Sequence, residues 1–295
     1  MSNTVWFITG SSRGLGRKIA QAALANGDKV AATARDTAKL AELAAAYPEQ
    51  ILTLPLDVTD EAQIEAAVAA AHAKFGRLDV VVNNAGYANL SAVEDTPLSD
   101  FRAQIDTNLL GVIAVVKAVL PILREQGQGR IINVSSVGSR LGTPGLAPYQ
   151  AAKWAVSGFT EVLALEVAPL GVKVTAIEPG GMPTDWAGSS MRIPTPSEPY
   201  QAAIGAIGGF FRSGLTPLAD LGKVAQAVLS VASLDEPPVR LLIGSDAIAA
   251  AGGYATALAA SDAKWAELTR STDRDDAVEA DRDPLGQGAA GQINL

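Results

Sequence analysis

The sequence predicts an α/β fold, a doubly wound sandwich with a seven-stranded parallel sheet and helices on both faces. Short apolar runs rich in β-branched residues alternate along the chain with longer helical patterns. Strands of a parallel sheet covered by helices are buried on both faces and read as such apolar runs. Glycines also stand where successive helices should end before the next strand. The predicted strands cover residues 5–9, 29–34, 51–56, 78–82, 130–135, 172–177 and 239–243.

The helical segments between these strands carry start signals. Asp36 precedes the helical pattern of residues 37–47, and Thr59 or Asp60 precedes that of residues 61–74, with Gln63 placed to close a capping box on Asp60. We expect residues 1–270 to form one domain. Residues 271–295, rich in acidic side chains and glycine, should form a solvated acidic tail.

A segment at about residues 185–217 breaks the regular alternation. It is rich in proline, glycine and serine, and it carries the large apolar side chains of Trp186, Met191, Tyr200, Phe210 and Phe211. Two interpretations stay open: a mobile loop-helix lid that closes over an apolar ligand, or a surface insertion with its own small core.

Composition excludes several classes of function. With 48% hydrophobic and 18% charged residues the chain is globular, and its length suffices to bury roughly 73% of its unfolded surface. It has no cysteine and His72 is its one histidine, so we expect no disulfide and no metal site. The net charge of −8 argues against nucleic acid and anionic membrane partners. The apolar run 109–123 is too short to span a membrane, which favours a cytoplasmic protein.

The first predicted strand runs into a glycine-rich turn that opens a helical pattern at residues 17–25. Glycines at such a turn let the backbone approach a pyrophosphate, and the positive end of the following helix stabilises its charge. A P-loop is disfavoured because no Gly-Lys-Ser/Thr follows the turn. The sequence therefore predicts a dinucleotide site that includes Gly10, Ser12, Arg13, Gly14, Leu15 and Gly16.

The second strand ends in Ala34, Arg35 and Asp36, where a dinucleotide fold meets the adenosine ribose. A carboxylate at the strand end would bind both ribose hydroxyls, whereas an arginine matches the charge of a 2′-phosphate. Arg35, with Arg13 as a second cation, therefore favours NADP. The alternative uses Asp36 as the ribose ligand and gives NAD, but Asp36 also suits a helix cap.

Tyr149 and Lys153 stand four residues apart on a helical pattern at residues 149–168, so both project from one face. A free phenol has a pKa near ~10, and a neighbouring ammonium group favours the phenolate and lowers that pKa. Ser136 follows the strand at 130–135, and ligands of open α/β sheets sit at the carboxyl ends of strands. The serine hydroxyl can thus bond a carbonyl oxygen beside the phenol.

These features belong to a longer series of spaced motifs. The series comprises Thr-Gly-x-x-x-Gly-x-Gly at 9–16, Asp57-Val58, Asn-Asn-Ala-Gly at 83–86, Asn108, Ser136, Tyr149, Lys153 and Pro-Gly-x-x-x-Thr at 179–184. In order and spacing, over roughly residues 4–244, it resembles the short-chain dehydrogenase/reductase family in its compact single-domain branch. The resemblance implies a Rossmann-type fold and a nicotinamide cofactor.

The resemblance also implies roles for individual residues. Tyr149 is similar to the general acid/base, Ser136 to the hydroxyl that orients the carbonyl, and Lys153 to the residue that lowers the tyrosine pKa and binds the nicotinamide ribose. Asn108 is similar to the amide that holds a water in a proton relay to Lys153. The further residues that match cofactor-binding positions are Asp57, Val58, Asn84, Ala85, Gly86, Pro179, Gly180, Met182 and Thr184.

Together these observations predict an NADP(H)-dependent oxidoreductase that interconverts an apolar ketone or aldehyde and its alcohol. The apolar character follows from the residues expected near the hydride site, namely Tyr87, Gly138, Leu141, Leu146 and Met182. One alternative is a non-catalytic NADP-binding sensor or scaffold. Another is sugar-nucleotide epimerisation or dehydration, which uses the same Tyr-Lys pair in longer relatives.

The resemblance finally implies an oligomer. The family often forms homodimers through the helices that contain Asn108 and Tyr149, and homotetramers through the last strand. Here the last predicted strand, at 239–243, is followed by roughly fifty further residues that could block or replace the second contact. We therefore expect a homodimer, with a homotetramer as the alternative.

Overall fold

The structure, a computed structural model, describes residues 4–184, 191–212 and 217–282. Its centre is a seven-stranded sheet with the strand order β3-β2-β1-β4-β5-β6-β7, and every neighbouring pair is parallel. The predicted fold class and all the predicted strands are confirmed. The strands are β1 Val5–Ile8, β2 Lys29–Ala34, β3 Ile51–Pro55, β4 Val80–Asn83, β5 Gly129–Val134, β6 Val172–Pro179 and β7 Arg240–Ile243.

Helices connect the strands on both faces of the sheet. They are α1 Gly14–Ala25, α2 Ala41–Ala46, α3 Glu61–Phe75, α4 Leu98–Ile105, α5 Gly111–Gln126, α6 Ala147–Val167, α7 Ala206–Arg212, α8 Leu221–Ser233, α9 Ser245–Arg270 and α10 Glu279–Arg282. Single 3-10 turns occur at Thr37–Leu40, Val137–Ser139, Ala168–Leu170 and Glu198–Tyr200. Two π-helical turns occur at Asp106–Leu110 and Gln201–Gly205.

The predicted helix starts hold in part. The Asp36 carboxylate accepts a hydrogen bond from the amide of Ala38, but the segment begins as a 3-10 turn and becomes helical only at Ala41. The Asp60 carboxylate accepts from the amide of Gln63, as a capping box requires. The Gln63 side chain, however, accepts from the amide of Asp57 and so also closes the turn before the helix.

Two apolar layers hold the sheet between the helices. On one face of the sheet, Ile8 of β1 packs in a cluster with side chains of α1 and α8. The preceding residue, Phe7, packs on the other face in a cluster with side chains of α3, α5 and α6. Both side chains are fully buried. The alternation follows from the two-residue period of a strand, and it leaves the carboxyl ends of the strands free to form a cleft.

α4, the π turn and α5 form one continuous helix. Among the described residues, this helix, Leu98–Gln126, is the one that could cross a membrane by length and apolar composition. Val115, Val119 and Leu123 of α5 lie in the core against the sheet. A core helix of a globular protein can be as long and as apolar as a helix that spans a membrane.

The chain after β7 differs from the expected organisation. α9 is a helix of 26 residues that the sequence analysis did not predict, and its buried residues are Ala247 and Ala251 in its first two turns. Its later apolar side chains, Leu258, Trp265 and Leu268 among them, are exposed. The described part of the predicted tail, residues 271–282, is almost entirely exposed, and its ion pairs, such as Arg274 with Asp281, join residues of the tail.

The predicted lid is described from residue 191 to 212 and at residue 217. Met191 and Ile204 are buried there and pack against Leu90, Leu146 and the ring of Tyr149. Trp186, and the side chains of Phe210 and Phe211, lie outside the described residues. The buried side chains of the described part thus share one apolar cluster with the loop after β4 and with α6, and that cluster includes Tyr149 of the predicted site.

Candidate active site

The glycine turn leaves β1 and enters α1 with little space around its backbone. Gly10 and Gly14 have φ angles of 69° and 55°, which side chains rarely adopt. A Cβ atom added at Gly16 would lie 2.5 Å from the carbonyl oxygen of Gly10. Arg13 occupies the N-cap position of α1, and its side chain makes no capping hydrogen bond. α1 thus begins directly at a tight glycine turn without a side-chain cap, a position where helix amides can bind a pyrophosphate.

Hydrogen bonds join the glycine turn to the loop that follows β4. The Thr9 hydroxyl oxygen accepts from the amides of Asn84 at 2.9 Å and Ala85 at 3.0 Å. The Asn84 side-chain amide donates in return to the carbonyl oxygens of Thr9 at 3.0 Å and Gly10 at 3.1 Å. Sequence reasoning placed Thr9 in a motif but gave it no function, and the structure shows that its hydroxyl fixes the distance between the two loops.

One cavity of ≈ 1230 Å³ runs along the carboxyl ends of the strands. All the predicted site residues except Gly16 and Asn108 line this cavity. It is also lined by residues that the sequence analysis did not single out, among them Thr59, Ala103, Asp106, Thr107, Thr143, Gln150, Pro217, Leu218 and Asp246. The fold thus brings the glycine turn, the β2 end and the Tyr-Lys pair to one cleft.

At the β2 end of the cavity two arginines are exposed on its lining, Arg13 and Arg35. The carboxylate of Asp36 accepts from the amide of Ala38 at 3.1 Å and so acts as a helix cap. The carboxylate of Asp57, also on the lining, accepts from the amide and hydroxyl of Thr59. The Asp36 and Asp57 carboxylates are therefore engaged in local turns, while the guanidinium groups of Arg13 and Arg35 bring positive charge to this part of the lining.

At the other end, Tyr149 and Lys153 of α6 are both buried, with 7% and 4% of their surfaces exposed. The Lys153 ammonium donates to the carbonyl oxygen of Val134 at 2.7 Å and lies 5.7 Å from the centre of the Tyr149 ring. The Tyr149 phenol hydrogen bonds to the Ser136 side chain. The Ser136 hydroxyl oxygen also accepts from the amide of Gly138 at 3.0 Å, which fixes the serine at the start of its turn.

The burial of this pair controls its proton affinities. Burial raises the pKa of Tyr149 to about 12, although the hydrogen bond with Ser136 lowers it. Burial also lowers the pKa of Lys153 to about 8. The phenol is therefore a weaker acid than a free tyrosine, not a stronger one as expected, and the lowering of its pKa by Lys153 stays a prediction. The loss of water around the phenolate is the main cause of the raised pKa, and the hydrogen bond with Ser136 offsets part of it.

Asn108 lies in the π-helical turn and is fully buried. Its amide group donates to the carbonyl oxygens of Tyr87 at 2.9 Å and Gln104 at 2.8 Å, and its oxygen accepts from the amide of Tyr87 at 3.1 Å. A Cβ atom added at Gly86 would lie 2.6 Å from the Asn108 oxygen and 3.6 Å from the Lys153 nitrogen. Asn108 therefore fixes the loop that carries Gly86, and its relay role stays a prediction.

The loop after β6 approaches the cleft from the other side. The amide of Gly181 donates to the carboxylate of Asp246 at 2.7 Å, and Asp246 belongs to the first turn of α9. A Cβ atom added at Gly180 would lie 2.5 Å from the same carboxylate. Thr184, at the end of the loop, lies beside Gly14. Sequence reasoning missed Asp246, because its only signal is its place shortly after β7.

Apolar side chains also line the cavity that contains the Tyr149 phenol. Those expected from the sequence, Tyr87, Leu141, Leu146 and Met182, all lie on the lining, and Leu218 joins them. Among polar neighbours, the Gln150 side chain is bonded to Thr143 through both its oxygen and its nitrogen. His72 lies on α3 away from the cavity, and no group of three metal-binding side chains occurs within residues 4–184, 191–212 and 217–282.

Comparison with known proteins extends over most of the chain. The profile of the family described as "short chain dehydrogenase" matches residues 4–192. Oxidoreductase BOA17 of Botryotinia fuckeliana (strain B05.10) is 56% identical over 267 residues, which cover 90% of this chain and 97% of that protein. The crystal structure of a short-chain dehydrogenase from Streptomyces avermitilis has a TM-score of 0.87 at 36% identity, and covers 93% of this chain and 100% of its own.

Two further solved structures contain nicotinamide dinucleotides. An alcohol dehydrogenase from Thermococcus sibiricus, complexed with 5-hydroxy-NADP, has a TM-score of 0.68 at 27% identity and covers 82% of this chain and 96% of its own. A 3-ketoacyl-(acyl-carrier-protein) reductase from Brucella melitensis, complexed with NADH, has a TM-score of 0.70 at 28% identity and covers 83% and 98%.

Proposed function

The chain belongs to the short-chain dehydrogenase family of oxidoreductases, and on that premise we propose that it uses NADP(H) to interconvert a small apolar ketone or aldehyde and its alcohol. The observation that carries this proposal is the single cavity that joins the glycine turn to Ser136, Tyr149 and Lys153. A dinucleotide site and a proton-transfer group must share one cleft if hydride and proton are to reach neighbouring atoms.

The residues of the cavity fit a nicotinamide dinucleotide. Because a side chain at Gly16 would meet the carbonyl oxygen of Gly10, the turn keeps its backbone tight and its amides open to a pyrophosphate. Asp57 and Asn84 to Gly86 line the middle of the cleft, and Lys153 stands at its end. The dinucleotide, when bound, supplies or takes up the hydride.

We infer NADP as the preferred cofactor from the charges at the β2 end. Arg13 and Arg35 lie on the cavity lining, while the Asp36 carboxylate is already engaged by the amide of Ala38. Two guanidinium groups match a 2′-phosphate, and no carboxylate ends β2 to repel it. Because related structures contain either cofactor, the preference rests on these side chains of this chain.

The proton chemistry follows from the burial of the phenol. With a pKa of about 12, Tyr149 carries its proton throughout the neutral range and is ready to give it to a carbonyl oxygen. Ser136, bonded to the phenol, is placed to bond the same oxygen and hold it in line. Lys153, with a pKa of about 8, is mostly charged at pH 7 and stabilises the phenolate that proton donation leaves behind. The same phenol can therefore donate a proton in carbonyl reduction and, as the phenolate, accept one in the reverse reaction.

The substrate class follows from the surface next to the phenol. Leu141, Leu146, Met182 and Leu218 offer apolar contact there, and the amide of Gln150 is engaged by Thr143. A pocket of this kind suits an aliphatic or aromatic carbonyl compound better than a charged one.

We further propose that the protein forms a homodimer through the faces of α5 and α6 that point away from the sheet. Large apolar side chains are exposed on this surface, among them Trp154, Val162 and Leu165 on α6 and Leu110 at the start of α5. Contiguous exposed apolar side chains mark an interface more often than a free surface. The long α9 after β7 argues against a tetramer through that strand.

The test of the proposed function is NADPH oxidation with a panel of apolar ketones and aldehydes, followed by absorbance. Wild type should turn over at least one of them, whereas Tyr149→Phe should lose at least about 100-fold in kcat, as expected for a general acid. Leu98→Ala, an exposed side chain on α4, serves as the control. Unchanged turnover in the tyrosine variant would refute the proposal, and cofactor binding without any turnover by wild type would favour the sensor alternative.

A further inference from the structure

We propose that Glu178 is a positioning residue that holds the Ser136 turn against α6, β7 and the end of β6. The inference rests on the proposed function, because it acts through Ser136. Glu178 is the second-last residue of β6 and directly precedes Pro179 and Gly180, which line the cavity. It does not itself line the cavity, so any effect on the reaction must pass through its neighbours.

Glu178 is a fully buried carboxylate with an unusual number of partners. One oxygen accepts from the Arg140 guanidinium at 2.5 Å. The other accepts from the Arg240 guanidinium at 2.6 Å and from the hydroxyls of Ser139 and Ser157, each at 3.1 Å. These partners lie in the Ser136 turn, in β7 and in α6, so one carboxylate joins three elements to the end of β6.

Two of these partners come from the Ser136 turn itself. The Ser139 hydroxyl lies 2.7 Å from the Ser136 carbonyl oxygen and 3.1 Å from Glu178, so its single proton is shared between the two acceptors. The Ser139 amide also donates to the Ser136 carbonyl at 2.9 Å. Arg140, the next residue, closes the turn and reaches the second carboxylate oxygen. The position of Ser136 is therefore tied to Glu178 by the side chains of Ser139 and Arg140.

The same carboxylate is linked to the helix of the Tyr-Lys pair. Ser157, one helical turn after Lys153, donates to Glu178, and its oxygen lies 2.9 Å from the Ser135 hydroxyl. The Ser135 hydroxyl lies 3.2 Å from the Lys153 carbonyl oxygen. Arg240 adds a second link, since it bridges Glu178 and the Glu161 carboxylate of α6 at 2.8 Å. These hydrogen bonds thus fix the position of the Ser136 turn relative to α6.

A contribution to folding stability alone does not explain why these charged groups are buried together. Two arginines and two glutamates balance in charge, but burying an ion pair adds little stability over apolar side chains of the same size. What the charges provide is direction, because each guanidinium and hydroxyl has one favourable geometry on the carboxylate. Direction matters most next to reacting groups, where a shift of about 1 Å costs on the order of 100-fold in rate.

The experiment is a double-mutant cycle between Ser139→Ala and Ser136→Ala, with Glu178→Gln as the stronger change. We expect Ser139→Ala to lower kcat about 10-fold and Glu178→Gln about 100-fold, with the Kd for NADPH, measured by fluorescence, changed less than 3-fold. In the Ser136→Ala background both losses should shrink to less than 3-fold, because the group being positioned is gone. Asp79→Asn, which breaks the pair with Arg77 remote from the cavity, is the control for lost stability.

A second measurement needs no substrate. Amide hydrogen exchange of the peptide that spans residues 135–141 should speed up at least about 10-fold in Glu178→Gln and Ser139→Ala, and stay unchanged in Asp79→Asn. Losses in kcat that multiply with that of Ser136→Ala, or unchanged exchange in the peptide, would overturn the inference. Absence of turnover in wild type would instead refute the proposed function, while the exchange result would still decide whether Glu178 holds the turn.

Discussion

Replacement of Lys153 by methionine should remove a pH dependence of stability that the structure assigns to this one side chain. Burial lowers the pKa of Lys153 from 10.5 to about 8 in the folded protein. Below pH 8 the folded state must therefore bury an ammonium group that the unfolded chain keeps in water. At 1.36 kcal/mol per pKa unit, this difference opposes folding by about 3 kcal/mol near pH 7.

The sign of the dependence follows from proton binding. Between pH 8 and 10.5 the unfolded chain binds more protons at Lys153 than the folded chain, so the free energy of unfolding rises with pH. From pH 7 to 9.5 the Lys153 contribution should rise by about 2 kcal/mol. Tyr149 acts in the opposite direction only above pH 10, since its pKa is raised from 10.0 to about 12.

Urea unfolding of cofactor-free wild type and Lys153→Met at several pH values from 7 to 9.5 measures this effect. The free-energy difference between the two proteins should change by about 2 kcal/mol over that range, in favour of wild type at high pH. Any loss in Lys153→Met that does not depend on pH is the same at every pH of the series and so drops out of the comparison. A difference that is constant across the pH range would show that the folded-state pKa is not lowered, and would refute the reasoning.

Three further predictions concern the cofactor site and the oligomer. Arg35→Asp should weaken NADPH binding by about 10- to 100-fold and leave NADH binding within 3-fold, because it replaces a cation at the predicted 2′-phosphate by an anion. Fluorescence titration with each cofactor measures both affinities, and equal losses for the two cofactors would contradict this assignment. Gly16→Ala should abolish measurable binding of both cofactors in the same titration, since the added methyl group meets the Gly10 carbonyl; binding like that of wild type would show that the turn has room to shift. Val162→Glu should turn the proposed dimer into a monomer by light scattering, with Val93→Glu, an equally exposed position outside that face, as the control; a dimer in both variants would place the interface elsewhere.

The sequence predicted the sheet well because each strand is an almost uninterrupted apolar run. β2, at residues 29–34, matches its prediction to the residue, and its interior is buried on both faces. In a chain of this composition, a short apolar run of this kind is compatible with few structures other than a buried strand. The glycine turn was equally readable, because positive φ angles at Gly10 and Gly14 require the residue type that stands there.

The parts that were missed depend on contacts between distant segments. Glu178 sits in an apolar strand with no local sign that Arg140 and Arg240 would meet it, and Asp246 is one acidic residue in a helix start. α9 has a long alanine-rich sequence whose burial ends after Ala251, so it lacks the apolar stripe that predicts a packed helix. The raised pKa of Tyr149 has the same origin, since it reflects burial and not the neighbour four residues along the helix.

The contact between Asp246 and Gly181 has a practical meaning for anyone who shortens this polypeptide. A chain cut directly after Ile243 would lose the carboxylate that receives the Gly181 amide, and with it the brace for the backbone at the mouth of the cleft. Cutting after Arg270 keeps that brace and removes almost only exposed residues among those whose burial is described. The catalytic domain therefore extends beyond β7 and includes the first turn of α9.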